Sequence, residues 1–137
     1  MVADMDIMKL YASTVFKVEV TFEQPKTFAI ITAHNPLGMV CSNQNNNTYH
    51  QQFSQQLKSA GYHQYAQTIW GCSPDLTHQE ISYALVITKQ QALLLASHLN
   101  QNAIFWVDHD QLTIIPVKLV GVTELAVGCF KQRIVSG

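Results

Sequence analysis

The sequence predicts an α+β fold, a two-layer sandwich with two helices on one face of a mostly antiparallel sheet. Short apolar or alternating segments typical of strands are interrupted by two segments whose apolar residues recur with a helical period. The predicted order β-β-α-β-β-α-β-β contains the β-α-β-β-α-β pattern of ferredoxin-like domains in its middle. No linker rich in Pro, Gly or Ser divides the 137 residues, so residues 1–137 are expected to form one domain.

The two strands nearest the N-terminus differ in burial. Residues 14–22, "TVFKVEVTF", mostly alternate apolar and polar side chains, the pattern of a strand with one buried face. Residues 28–33, "FAIITA", lack this alternation and are predicted to be buried on both faces. The turn between them is short, which favours a hairpin, but strict ferredoxin-like order already gives 28–33 two neighbours. Either the first strand crosses to an edge, or the fourth strand of the ferredoxin-like block is displaced.

Two segments have the apolar spacing of helices. One is expected to begin after a Ser42 cap and to end at Gly61, with glutamines on its exposed face. This helical period argues against an aggregation-prone interpretation of "NQNNNTYHQQFSQQ". The other helix covers residues 89–99. The residues expected to point inward are Tyr49, Phe53, Leu57 and Ala60 in the first helix, and Ala92, Leu95, Ala96 and Leu99 in the second.

Four further strands complete the sheet. They are a weak strand over 62–70, a strong strand over 80–88, and a hairpin that joins 103–107 to 112–120. Pro116 marks the last of these as an edge strand, because proline cannot donate to a ladder. Residues 121–137 fit either a short helix or a strand.

Composition excludes several classes of function. Charged residues make up only 12% of the chain, and the net charge is -1, so clustered cations for binding nucleic acid are missing. The longest apolar runs are too short to cross a bilayer, and the first residues lack the order of a secretory signal. Cys41, Cys72 and Cys129 form no Cys-x-x-Cys pair. We therefore expect a cytoplasmic protein without membrane contact, disulfides or a cofactor.

Polar residues are predicted to meet at one rim of the sheet. The strands 28–33 and 80–88 would be central antiparallel neighbours, so the end of the first lies beside the start of the second. The N-terminus of the first helix and the start of strand 103–107 approach the same rim. The side chains expected there as ligand-binding residues, beside Glu80, are Thr32, His34, Asn35, Asn46, Gln101 and Asn102.

Each candidate has a structural alternative. Glu80, opening a buried strand, could act as a general acid or base through a pKa raised by desolvation, or it could bind backbone N–H groups of the 71–79 loop. The amide of Asn35 could recognise a ligand or close the turn before Pro36. A metal triad of His34, His78 and Glu80 is disfavoured, because no diagnostic spacing supports it. A Cys72 nucleophile is disfavoured as well, since nothing in the sequence lowers its pKa.

The same residues resemble a known family. "FAIITAHNP", a Ser and an Asn around a helix start, a Gly-led loop ending in Glu and "QNAIFW" are similar to the bacterial family called domain of unknown function 3293. The resemblance covers roughly residues 11–108, leaving 109–137 as a C-terminal hairpin and tail. The matching positions are Thr32, Asn35, Pro36, Asn46, Gly71, Glu80, Gln101 and Asn102. The chain departs from the family at His34 and at "HQ" before Glu80, where members typically carry Trp and Trp-Pro. The resemblance implies no activity.

Two functions therefore stay open. The first is a small-molecule site at the rim between "TAHNP" and Glu80, with a nucleotide or another phosphate-bearing metabolite as the ligand suggested by the helix N-terminus. The second is a non-catalytic interaction or assembly module, in which Glu80 and Asn35 are structural and copies associate through a sheet edge. Whether the protein is an enzyme is left open by the sequence.

Overall fold

The computed structural model describes residues 4–135, which form three α-helices and one seven-stranded sheet. The helices are α1 (Asp4–Ala12), α2 (Asn43–Ser59) and α3 (Lys89–His98). The strands are β1 (Val15–Val18), β2 (Thr27–Thr32), β3 (Ala66–Cys72), β4 (Gln79–Leu85), β5 (Ala103–Asp108), β6 (Gln111–Pro116) and β7 (Leu125–Cys129). Short 3₁₀ turns cover Pro36–Gly38, His63–Tyr65 and Lys131–Arg133.

The strands lie in the order β1-β3-β4-β2-β5-β6-β7, and every neighbouring pair is antiparallel. The predicted pairing of β2 with β4 at the centre is confirmed. Two placements were open for the first strand. In the structure it crosses to an edge of the sheet, where β1 pairs with β3. This strand is shorter than predicted: it ends at Val18, and Val20 is fully exposed.

The two edges of the sheet approach each other, so the sheet curls into a half-barrel. Phe16 in β1 forms a parallel bridge with Ile134, which follows β7. The Arg133 guanidinium spans the seam by donating to the carbonyl oxygens of Ala12, Thr14 and Val127. The α+β class is confirmed, whereas the two-layer, ferredoxin-like sandwich is not confirmed for this larger, curled sheet.

The two faces of the sheet carry separate apolar cores. The concave face is filled by Met8 of α1 and by aromatic residues such as Phe16 and Phe130, whose ring centroids lie 5.3 Å apart. The convex face is covered by α2 and α3. The predicted inward residues of both helices are buried or partly buried there, except that Ala60 is exposed. Burying each large apolar side chain contributes about 1.5–3 kcal/mol.

The prediction of an edge strand at Pro116 is wrong. β6 pairs with β5 on one side and with β7 on the other. Proline is tolerated because the ladder with β7 ends at Ile114, so no hydrogen bond to β7 is lost at residue 116. Within the tail, β7 and the turn Lys131–Arg133 form, while residues 136 and 137 lie outside the described part. No helix among residues 4–135 combines the length and apolar character needed to cross a bilayer.

Candidate functional site

The ends of β2 and β4 bring the predicted polar residues to one rim. Thr32 is paired with Ser82, and Gly71 of β3 is paired with Glu80. Three polar side chains are buried among the described residues, and all three lie at this rim: Asn46, Ser82 and Gln101. Buried polar groups lose their contact with water and are therefore usually hydrogen-bonded within the protein. Each of these three side chains makes such a bond.

Asn35 is the hub of the rim. Its backbone is left-handed, with φ 50° and ψ 58°, a conformation that asparagine tolerates better than most residues. Its side-chain Oδ1 accepts hydrogen bonds from the Cys41 backbone N–H at 2.9 Å and from Asn46 Nδ2 at 3.0 Å. Asn46 Oδ1 in turn accepts from the Asn35 backbone N–H at 2.9 Å. The two asparagines therefore fold residues 35–41 tightly against the first turn of α2.

The neighbouring polar residues bond mainly to backbone. The Thr32 hydroxyl donates to the Ile81 carbonyl at 2.9 Å and accepts from the His34 N–H at 3.1 Å. The Gln101 side chain donates to the His34 carbonyl at 3.1 Å. Asn102 lies against Gly38: a side chain at residue 38 would come within 2.9 Å of Asn102 Nδ2. Thr32 and Gln101 therefore fix the shape of the rim through side-chain hydrogen bonds to backbone groups.

Glu80 differs from its neighbours in its charge and environment. Its side chain is half-buried on the concave side, where Asn35 Nδ2 donates to Oε1 at 3.2 Å. Burial raises the pKa of Glu80 above its usual range, and the hydrogen bond from Asn35 and the charge of His78 only partly offset this. Glu80 therefore bonds across to the 35–41 loop. The 71–79 loop is held instead by Asp75, which accepts from Ser73 and Thr77.

Tyr11 completes this environment and was missed by the sequence analysis. It lies on α1 and stacks at a tilt on Phe105, with ring centroids 5.6 Å apart. Burial and the negative charge of Glu80 raise the pKa of Tyr11 to about 12, partly offset by a hydrogen bond from the Ala103 backbone. The acids Asp4 and Asp6 at the start of α1 and Lys9 near its end are a helix signal that could have revealed α1.

His34 belongs to a different environment. Its ring contacts His50 of α2, with centroids 6.4 Å apart, and His50 stacks on Tyr83 at 5.1 Å. Burial lowers the pKa of both histidines, and the neighbouring charge of His50 adds to the effect on His34. His34 Nε2 and His50 Nδ1 are buried without a hydrogen-bond partner. His34 thus packs against α2, and the structure gives it no contact with Glu80.

The residues described form neither a metal-binding cluster nor a reactive cysteine site. Across residues 4–135, no three His, Cys, Asp or Glu side chains are grouped as a metal site would need. Cys72 is buried, and burial raises its pKa, which disfavours the reactive thiolate. Two surface cavities lie away from the rim. One of about 150 Å³ is lined by residues such as Glu19 and Gln67, and an open groove of about 720 Å³ runs along α2.

Comparison with known proteins identifies a family model that matches this chain. The family model of a protein of unknown function, DUF3293, matches residues 31–104, more than half of the chain. The match contains the rim residues Asn35, Asn46 and Glu80, whereas Tyr11 lies outside it. Neither the comparison with curated proteins nor that with solved structures finds a match.

Proposed function

The chain belongs to the DUF3293 family, and from this premise we propose that the rim binds a small molecule through Glu80. One observation carries the proposal. The half-buried carboxyl of Glu80 forms no salt bridge within residues 4–135, and its bond to a side chain comes from the neutral amide of Asn35. A carboxylate that loses water without a cationic partner costs stability. A ligand that donates hydrogen bonds to Glu80 would supply the missing partner.

The rim residues divide into two proposed roles. Glu80 contacts the ligand, and Tyr11 lines the same side with its hydroxyl. The supporting residues do not contact the ligand; their existing hydrogen bonds hold the backbone of residues 32–41 in place. They are Thr32, Asn46 and Gln101. This arrangement corresponds to a binding group on rigid strands supported by a hydrogen-bonded surround.

Asn35, Asn102 and His34 have separate places in this proposal. Asn35 orients the Glu80 carboxyl through its Nδ2 donor. Asn102 borders the site through its contact with Gly38. His34 contributes to the site through its backbone carbonyl, which receives Gln101, while its ring packs against α2.

The chemistry of Glu80 favours an uncharged or cationic ligand with N–H or O–H donors. A phosphate-bearing ligand, suggested by the sequence, has less support. The Ser42 hydroxyl already accepts from the Asn45 N–H at 3.1 Å, and the charge of ionised Glu80 would repel phosphate. The raised pKa also suits Glu80 to exchange a proton with the ligand, which leaves acid–base catalysis as an extension of binding.

Ligand-induced thermal stabilisation tests this function. Wild type, Glu80→Gln and a matched Glu19→Gln control, which changes an exposed acid outside the rim, are screened against amines, amides and nucleosides, with phosphate compounds alongside. We expect a stabilising amine, amide or nucleoside that is lost in Glu80→Gln and retained in Glu19→Gln. Equal stabilisation of all three proteins would refute the role of Glu80, and stabilisation by phosphate compounds alone would refute the ligand class.

An assembly module is the second candidate function, and one observation favours it. The loop that the two asparagines hold exposes three apolar side chains, Leu37, Met39 and Val40. Association through a sheet edge has less support, because β1 already bridges to Ile134 at the seam. A reducing, cytoplasmic setting stays part of the proposal and is supported by the free thiols of Cys41, Cys72 and Cys129.

A further inference from the structure

Gly71 lies within β3 at a position where the backbone does not require glycine. Its φ is not positive, unlike that of Gly38 or Gly61. The pairings of β3 with β1 and with β4 both run through residue 71 without a bulge. Glycine weakens a strand relative to alanine, so its presence here needs another reason. A glycine inside a strand often marks a place where a ligand or another backbone approaches closely.

Packing among the described residues does not explain this glycine. A Cβ at residue 71 would lie 3.7 Å from Thr14 Cγ2, an ordinary van der Waals distance. Apart from the chain neighbours of Gly71, no other atom of residues 4–135 comes within 4 Å of that point. The aromatic rings of the concave core therefore do not rest on the glycine, and alanine would fit in its place.

The strand register places Gly71 beside Glu80. The two residues are paired directly, so a side chain at residue 71 would share the face of Glu80, with Cβ atoms about 4.5–5.5 Å apart. β4 lies between β2 and β3. Asn35, which follows β2, donates to Glu80 from one side, and Gly71 lies on the other. The side of Glu80 turned away from Asn35 therefore borders bare backbone.

We infer that Gly71 is the floor of the Glu80 site, and that the ligand group bound there is flat, an aromatic amide or a heterocyclic base. Such a group lies over the backbone of residue 71 and directs an N–H at Glu80. A flat group contacts bare backbone over its whole area, whereas a puckered ring contacts it through few atoms. This inference rests on the proposed function, and it adds the residue that limits the thickness of the ligand.

Substitution of Gly71 distinguishes a ligand floor from a structural glycine. Gly71→Ala should raise the melting temperature by about 2–4 °C, because alanine suits a strand better and meets only an ordinary contact with Thr14. In the same variant, the binding of benzamide or adenosine should weaken about tenfold, because the added carbon occupies the floor. Gly71→Val should abolish that binding. A structural glycine would lose stability and binding together.

NMR titrations with benzamide, adenosine and cyclohexanecarboxamide measure the binding. Benzamide and cyclohexanecarboxamide carry the same amide on a flat and on a puckered ring, and the wild type should bind benzamide about tenfold more tightly. Ala126→Val is the matched control, since Ala126 is exposed on β7 and the change adds bulk to a strand outside the rim. It should leave binding unchanged, whereas Glu80→Gln should abolish it.

The outcomes separate the floor at Gly71 from the role of Glu80. Binding that is lost in Glu80→Gln but retained in Gly71→Val would overturn the floor and leave the proposed function standing. Binding that Glu80→Gln leaves intact would refute the proposed function, and the floor with it. The inference would also be overturned by a lower melting temperature of Gly71→Ala, by cyclohexanecarboxamide binding as tightly as benzamide, or by a wild type that binds none of the three compounds.

Discussion

Replacing Asn35 tests whether two asparagines hold the rim together. The Asn35 side chain takes part in three hydrogen bonds, with the Cys41 N–H at 2.9 Å, Asn46 Nδ2 at 3.0 Å and Glu80 Oε1 at 3.2 Å. Each is worth about 1 kcal/mol net, so removing the side chain should reduce the free energy of unfolding by about 3 kcal/mol. Asn35→Ala should cost about 1 kcal/mol more than Asn35→Gly, because alanine resists a φ of 50° and glycine does not.

Urea unfolding monitored by tryptophan fluorescence measures these differences. Trp70 and Trp106 lie in β3 and β5, so their emission reports on the sheet. Asn47→Ala is the matched control, since Asn47 is exposed on α2, and its effect should stay within about 0.5 kcal/mol. A loss below about 1 kcal/mol for Asn35→Ala, or equal losses for the alanine and glycine variants, would refute the assignment of Asn35 as the hub.

Three further predictions concern pH and the seam. The raised pKa of Glu80 means that the folded state holds this proton more tightly, so the contribution of Glu80 to stability should fall as pH rises from 4.5 through the higher folded value. Glu80→Gln should therefore gain stability relative to wild type over that range and be the more stable protein at pH 7. Urea unfolding of both proteins at several pH values would show this, and a difference between them that does not change with pH would contradict it. The lowered pKa values of His34 and His50 mean that the unfolded state takes up more protons. The contribution of the two histidines to stability should therefore decrease as pH falls from 6.5 through the lower folded values. NMR titration should find both midpoints below 6.5, and ordinary midpoints would argue against their burial. Arg133→Lys should reduce the free energy of unfolding by about 2 kcal/mol, because an ammonium group cannot replace the forked guanidinium on three carbonyls. The control Lys118→Met, at an exposed site, should change it little. Equal losses of stability in thermal unfolding would argue against the role of Arg133 at the seam.

The centre of the sheet could be predicted because its sequence signals are local. Ser42 accepts from the Asn45 N–H as a helix cap, and Gly61 ends that helix with a φ of 78°, as expected. The pairing of β2 with β4 follows from their apolar character, since central strands are buried on both faces. The meeting of Asn35 and Glu80 follows from that pairing alone.

The periphery depended on contacts that the sequence does not display. α1 is short, and its one buried residue is Met8, so its place on the concave face depends on tertiary packing. β7 contains no buried residue and exists through its ladder with β6. Tyr11 approaches Glu80 because α1 packs there, which spacing along the chain could not show. Sequence patterns predict which residues are buried, but not how far a sheet curls.

The seam at Arg133 has a kinetic consequence. Its guanidinium joins Ala12 across 121 residues, and such a distant contact must overcome a large loop-closure entropy. The central strands can pair earlier, leaving the concave apolar face uncovered until the seam forms. During synthesis, this face would stay open until Arg133 and Ile134 leave the ribosome, the period in which a chaperone would be needed most. The rate-limiting step of folding is thus expected at the closing of the seam, and not at the rim.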